Sequence, residues 1–242
     1  MSLGDRRALV VGVGGLGCPS SRVLARSGVG SLVLLDDDVV EETNLHRQTL
    51  FTDADVGLPK TECAARALAR EARSTGREPR LETVRDRLLP ENALASLAGV
   101  DVVLEGADNL ASKFLAVDAC RIAGVPLVQA GAVRFQGWVL ATLPGRGPCM
   151  RCVFEDIPDD RVETCAEAGI FGPVVGVVGA LQAAVALRVL LGDPSVEGEL
   201  WAYDAIRGTL RRTRVARRSD CPLCRGDIRD LSRSRYAATC AA

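Results

Sequence analysis

The 242-residue chain has a single histidine, two lysines among thirty basic residues, and a net charge of only −1. Each scarcity excludes something. With no charge excess, nothing asks for nucleic acid or an anionic membrane as partner. The arginine-dense stretch 207–218 is balanced by acids elsewhere and reads as the solvated face of strands. With one histidine, His46, no Cys/His zinc site can be built in the region where most cysteines lie. No signal-peptide pattern precedes the first strand, so a cytoplasmic protein is expected. No repeat or interdomain linker is visible, and one domain over residues 1–226 is expected, with a polar, frayed tail over 227–242. The one long apolar run, 173–191, is broken by Gln182 and Arg188 and weakened as an isolated helix by Gly176 and Gly179. It reads as a buried or interface helix rather than a membrane span.

What is present begins with cysteine. Nine cysteines in a chain without secretory features point to metal or chemistry rather than a disulfide framework. Four fall into two Cys-x-x-Cys pairs, Cys149/Cys152 and Cys221/Cys224, which together suit a closed four-thiolate structural zinc. Cys18, Cys63 and Cys120 lie on helix-like stretches as small core residues.

Through the first half, strands (8–12, 31–35, 81–84, 100–104, 126–130) alternate with helices (16–27, 59–74, 90–97, 110–123). That alternation implies an α/β, Rossmann-like fold with a mostly parallel, doubly wound sheet. It defines a nucleotide-binding half, about 5–130. After residue 130 the pattern changes to strands at 137–143, 199–203 and 209–215. They continue the sheet in antiparallel fashion and form a second half, about 131–226. A mobile loop is expected over 153–172.

Gly12-x-Gly14-Gly15-x-Gly17 stands between the first strand and the first helix, where glycines allow backbone amides to approach a phosphate. Asp36 closes the next strand, placed to accept bonds from ribose hydroxyls; a strand-end turn acid is the plainer alternative. Asn44, Arg47 and Gln48 follow in a polar stretch, and Lys60 stands just after a Gly-Leu-Pro turn. In a chain that otherwise favours arginine, that lysine fits a compact charge against phosphate. Cations along the site favour a triphosphate over a dinucleotide. Asp108 ends an inner strand, where a carboxylate can hold Mg²⁺, and Asn109 beside it counts with it among the expected nucleotide-binding residues; a cap on the following helix is the plainer alternative, and both roles can hold at once.

In this order, the glycine loop, Leu35-Asp36-Asp37-Asp38, Asn44-Leu45-His46-Arg47-Gln48, Lys60, Asp108-Asn109 and the two cysteine pairs resemble the ubiquitin-activating superfamily. The likeness is strongest to its bacterial MoeB/ThiF branch, the molybdopterin-synthase and thiamine-pathway adenylyltransferases. The resemblance runs to Cys224. It implies ATP-dependent adenylation of the C-terminal glycine of a small ubiquitin-like sulfur carrier ending in Gly-Gly. It also implies ribose on Asp36, phosphates on Asn44, Arg47 and Lys60, Mg²⁺ on Asp108, structural Zn²⁺ on the four cysteines, carrier binding by the second half, and a homodimer. Cys165 matches a loop cysteine that some members use in thioester or acyl-disulfide chemistry; Glu163 and Glu167 beside it would dull it by raising its pKa.

Relatives carry an N-terminal helical segment with an arginine that reaches the neighbouring subunit's ATP, and Arg6 and Arg7 are the candidates for that role here. With no sulfurtransferase domain after Cys224, a separate protein is expected to donate sulfur. An NAD-dependent dehydrogenase would account for the glycines and Asp36, but not for Arg47, Lys60 or the cysteines. A non-catalytic ubiquitin-like-protein binding relative and a tRNA-modifying dehydratase complete the alternatives.

Overall fold

The computed structural model describes residues 2–73, 76, 78–157 and 169–239, with side chains to Tyr236. The strands are β1 (Arg7–Val11), β2 (Ser31–Leu35), β3 (Arg80–Val84), β4 (Val102–Glu105), β5 (Leu127–Val133), β6 (Gln136–Thr142), β7 (Glu199–Asp204) and β8 (Thr209–Arg214). They form one sheet in the order β3-β2-β1-β4-β5-β6-β7-β8. Pairing is parallel from β3 to β5 and antiparallel from β5 to β8.

The inner strands are apolar on both sides because helices cover both faces. Ala8 and Val10 of β1 pack with α1 (Gly17–Arg26), α2 (Lys60–Arg73) and the long helix α6 (Gly172–Leu190). Leu9 and Val11 pack with α3 (Ala93–Ser96), α4 (Leu110–Ala123) and α5 (Met150–Phe154). At the other end of the sheet every residue of β8 is exposed, and three of its six residues are arginine. Charge on an edge strand discourages pairing with another chain.

α6 is long and apolar enough to cross a membrane by length and composition, but half of it is buried in the protein. Gln182 interrupts its apolar sequence for a local reason. Its amide donates to the carbonyls of Glu105 (2.8 Å) and Val128 (2.9 Å), tying the helix to β4 and β5. It is a core helix, as its polar interruption implies.

Two boundaries differ from the sequence expectation. Residues 150–154 are already helical, so the loop after β6 is shorter at its start than 153–172; residues 158–168 lie outside the described residues. Among the described residues, the stretch 227–236 is docked on the protein rather than frayed. Tyr236 is buried, and Ile228 and Leu231 pack against the α4 side of the core. The Tyr236 hydroxyl donates to Asp118 of α4 at 2.9 Å. Spaced single hydrophobes without helical period gave little sign of this docking. α7 (Pro222–Arg225) precedes it and ends at Gly226.

Candidate active site

The strand order reverses between β1 and β4, and a cleft opens there at the carboxyl ends of the parallel strands, the usual ligand position in such sheets. Gly12 has φ +82°, a conformation that disfavours any side chain. A Cβ on Gly17 would lie 2.0 Å from the Gly12 carbonyl, so only glycine lets the loop close onto α1. No side chain caps the start of α1. The Cys18 amide donates to the Gly14 carbonyl at 2.9 Å and Pro19 has no N–H, so an anion here would be met by the amides of the glycine loop just before them, with the helix dipole adding to that preference.

Asp36 organises the loop as well as lining the cleft. One carboxylate oxygen accepts from the Val13 amide at 2.6 Å and the other from the Asp38 amide at 2.9 Å. Burial pushes its pKa up, opposed by Lys60 and these two amide bonds. Each oxygen keeps a second lone-pair direction for a ribose hydroxyl.

Lys60 and Arg47 both line this cleft. Lys60, the first residue of α2, is buried, and its ammonium lies 2.6 Å from Asp38 Oδ2. An ammonium has three donors, so it can keep Asp38 and still reach a phosphate. Arg47 is held by the Asn44 side-chain oxygen, and Asn44 in turn donates to Glu41 at 2.7 Å. Asn44 itself does not line the cleft; it steadies Arg47. Gln48 is 4% exposed and does line it. Its carbonyl oxygen is buried with no hydrogen-bond partner among the described residues, an acceptor that a ligand donor would satisfy.

The two roles considered for Asp108 and Asn109 separate cleanly. Asn109 is the N-cap of α4, its side chain accepting from the Ser112 amide at 2.8 Å. Asp108 is exposed at the cleft and makes no hydrogen bond or ion pair to the described residues. A free carboxylate at that place suits a divalent cation.

Sequence reasoning missed the group behind them. Glu105, at the end of β4, is fully buried, with its pKa pushed up by that burial and pulled back chiefly by the charge of Lys113. Lys113 Nζ lies 3.1 and 3.3 Å from its two oxygens. The signal was available: Lys113 is the chain's other lysine, and scarcity had marked Lys60.

A second cavity, a groove floored by Trp138 and walled by Leu110, Met150, Phe154 and Arg211, shares Asp108, Lys113, Gly131 and Ala132 with the first. Arg6 and Arg7 lie at the opposite, amino-terminal end of β1, paired with Asp101 and Glu82. Cys165 falls outside the described residues.

The four paired cysteines come together at one point. Their nearest sulfur–sulfur distances are 3.5–3.9 Å. Tetrahedral zinc with ~2.3 Å bonds would place sulfurs ~3.8 Å apart, so the residues present fit that ion with no open position. The cluster joins the α5 turn, at the end of the β6 connection, to α7. Inside the first pair, Arg151 is 1% exposed and makes a two-pronged ion pair with Asp118 of α4 at 2.8 and 2.9 Å. Cys18, Cys63 and Cys120 are buried on α1, α2 and α4.

Residues 2–223 match the ThiF family. The chain belongs to that family. It is 39% identical to the SAMP-activating enzyme E1 of Haloferax volcanii, covering 97% of this chain and 86% of that one. It is 41% identical to a sulfur carrier protein adenylyltransferase of Thermus thermophilus, covering 96% and 87%. With the pig adenylyltransferase and sulfurtransferase MOCS3 it shares 42% identity, over 93% of this chain but 49% of that protein. The chain thus spans about half the length of the MOCS3 relatives it matches. Among solved structures, E. coli MccB with ATP superimposes with a TM-score of 0.75 and 26% identity, covering 92% of this chain and 67% of that one. The fold class and the MoeB/ThiF likeness read from the sequence both hold.

Proposed function

We propose that this chain is an adenylyltransferase that uses ATP to activate the C-terminal glycine carboxylate of a small ubiquitin-like sulfur carrier, in molybdopterin or thiamine biosynthesis. The observation that carries this is convergence. A glycine loop, a ribose-facing carboxylate, two cations and a free carboxylate come from separate segments to one cleft. The relatives add the substrate class: their names specify sulfur carriers and SAMP as what they act on.

A glycine carboxylate is ionised at neutral pH, so no general base is needed, consistent with a chain that has one histidine. Its oxygen attacks the α-phosphorus, the bond to the β-phosphate oxygen breaks, and pyrophosphate leaves. The obstacle is bringing one anion onto another, and positioning with electrostatic stabilisation supplies the rate. In this reading Asp36 holds the ribose, while the loop amides, Arg47 and Lys60 hold the phosphates, with Asn44 steadying Arg47. Asp108 would hold Mg²⁺, which neutralises phosphate charge when bound. The groove over β6–β8 takes the carrier's tail.

Zn²⁺ on the four cysteines is structural, stapling the end of the sheet to the chain's last helices. The enzyme works in the cytoplasm with sulfur supplied by a separate protein. The exposed side of α6, with Val177 and Ala184, continued by Leu191 just after the helix, is the homodimer face.

ATP–pyrophosphate exchange with a panel of carriers ending in Gly-Gly tests the proposal. Exchange that requires both the carrier and its free C-terminus is expected. No exchange with any carrier, or NADH binding in place of ATP, would sink it.

A further inference from the structure

The nucleotide cleft and the groove adjoin at four shared residues, Asp108, Lys113, Gly131 and Ala132. Lys113 is the one cation among those four. Its side chain is 7% exposed, whereas that of Glu105 behind it is 0% exposed. The pair is neutral as a whole, but it is a dipole whose positive end faces the cavities.

Several bonds hold that dipole in place. Ala130 accepts from Lys113 Nζ at 2.6 Å. Glu105 also receives the Ala107 amide at 2.7 Å and the Gln129 side-chain amide at 3.2 Å. Gln129 is itself fixed by donating to the Lys113 carbonyl at 2.9 Å. Lys113 Nζ lies 5.7 Å from the centre of the Trp138 ring, on the floor of the groove. Removing two opposite charges from water costs about what their attraction returns, so stability alone gives little reason for this pair. A ligand anion arriving at its positive end would.

We propose that the Lys113 ammonium binds the terminal carboxylate of the incoming carrier and orients it for attack on the α-phosphate. This assignment rests on the adenylation reading above. A carboxylate travelling along the groove reaches Lys113 where it enters the nucleotide cleft. Lys113 transfers no proton: the carboxylate oxygen forms the bond to phosphorus while the α–β bridging bond breaks towards pyrophosphate. The lysine shares its charge with Glu105, which limits the contribution to roughly one charge-assisted hydrogen bond, or about tenfold in affinity.

The test compares a Gly-Gly carrier ending in its free carboxylate with the same carrier ending in an amide. Binding of each to the full chain is measured by calorimetry in the presence of a non-hydrolysable ATP analogue. The wild-type chain should prefer the carboxylate by about tenfold. Lys113→Gln should erase that preference while changing the affinity for the ATP analogue by less than about threefold. A purely structural lysine would weaken both carriers alike and leave the preference intact, and that result overturns the proposal. Glu105→Gln keeps the ammonium and removes the opposing anion. Its preference should rise or hold, so the proposal remains testable if Lys113→Gln fails to fold; a preference lost in Glu105→Gln contradicts it. Carrier-dependent exchange by the wild-type chain, measured in parallel, separates failure of this assignment from failure of adenylation itself.

Discussion

The two halves of the sheet solve different problems with different means. The parallel half sets a glycine turn and a helix terminus within one short stretch, residues 12–17, and brings side chains from later segments to it. The antiparallel half builds its groove from side chains far apart in sequence, and needs a cysteine cluster and the Arg151–Asp118–Tyr236 group to hold its end in place. A site that binds phosphate can be written as a short local motif because backbone amides do the binding. A surface that binds a protein tail has no such motif.

That contrast can be broken at its strongest point first. Replacing Cys221 with serine should abolish stoichiometric zinc, read by elemental analysis, and lower Tm by about 10 °C or more, since a structural metal contributes to folding outright. Binding of ATP well below the lowered Tm should persist, because the cleft lies in the other half. Loss of ATP binding in a still-folded variant would mean that the halves are not separable in this way.

The next effect lies within the cleft. Arg47→Ala and Lys60→Ala should each slow carrier-dependent exchange by about a hundredfold or more, the usual size for removing a group that meets developing charge. Carrier affinity should change less than about threefold. Near-normal exchange in both variants would remove the cations from the mechanism.

Asp108 and Asn109 offer a sharper contrast between neighbours. Asp108→Asn should cut exchange by a similar factor and leave Tm unchanged, since that carboxylate has no protein partner among the described residues. Asn109→Ala should cost about 1 kcal/mol of stability through the lost cap, or roughly 2–4 °C in Tm, with a milder effect on turnover. Calorimetry and exchange on both variants decide it, and matching profiles would contradict the division of labour.

The smallest expected effect is one of pH. Burial raises Asp36 above its ordinary 3.8. Between 3.8 and the raised value, the native chain holds a proton that the unfolded chain has released. The contribution of Asp36 to stability is therefore full below 3.8 and declines as pH rises through the raised value. Ribose binding has the opposite sign, because the ionised carboxylate accepts two hydroxyls. ATP affinity should fall as pH drops through the raised value, and Asp36→Asn should weaken binding while flattening that profile.

The fold was legible because parallel strands buried on both faces must be apolar runs and because helix punctuation is local. Strand 31–35 and helix 110–123 match their expected limits residue for residue. The cysteine cluster was legible from pairing alone. The Glu105–Lys113 pair was not: a carboxylate at the end of an apolar strand looks like a boundary, and only three-dimensional packing sets it against a lysine eight residues on. Tyr236 was missed for the same reason, as one aromatic in a polar stretch carries no period. Asn44 shows a subtler limit. Its motif points to phosphate, and nothing in that motif announces that its side-chain oxygen also accepts from Arg47.

A crystal structure with magnesium and a non-hydrolysable ATP analogue tests the central claim most directly. Arg47 and Lys60 are expected within hydrogen-bond distance of the phosphates, with the metal on Asp108. Both side chains turned to bulk solvent, away from the bound nucleotide, would contradict it.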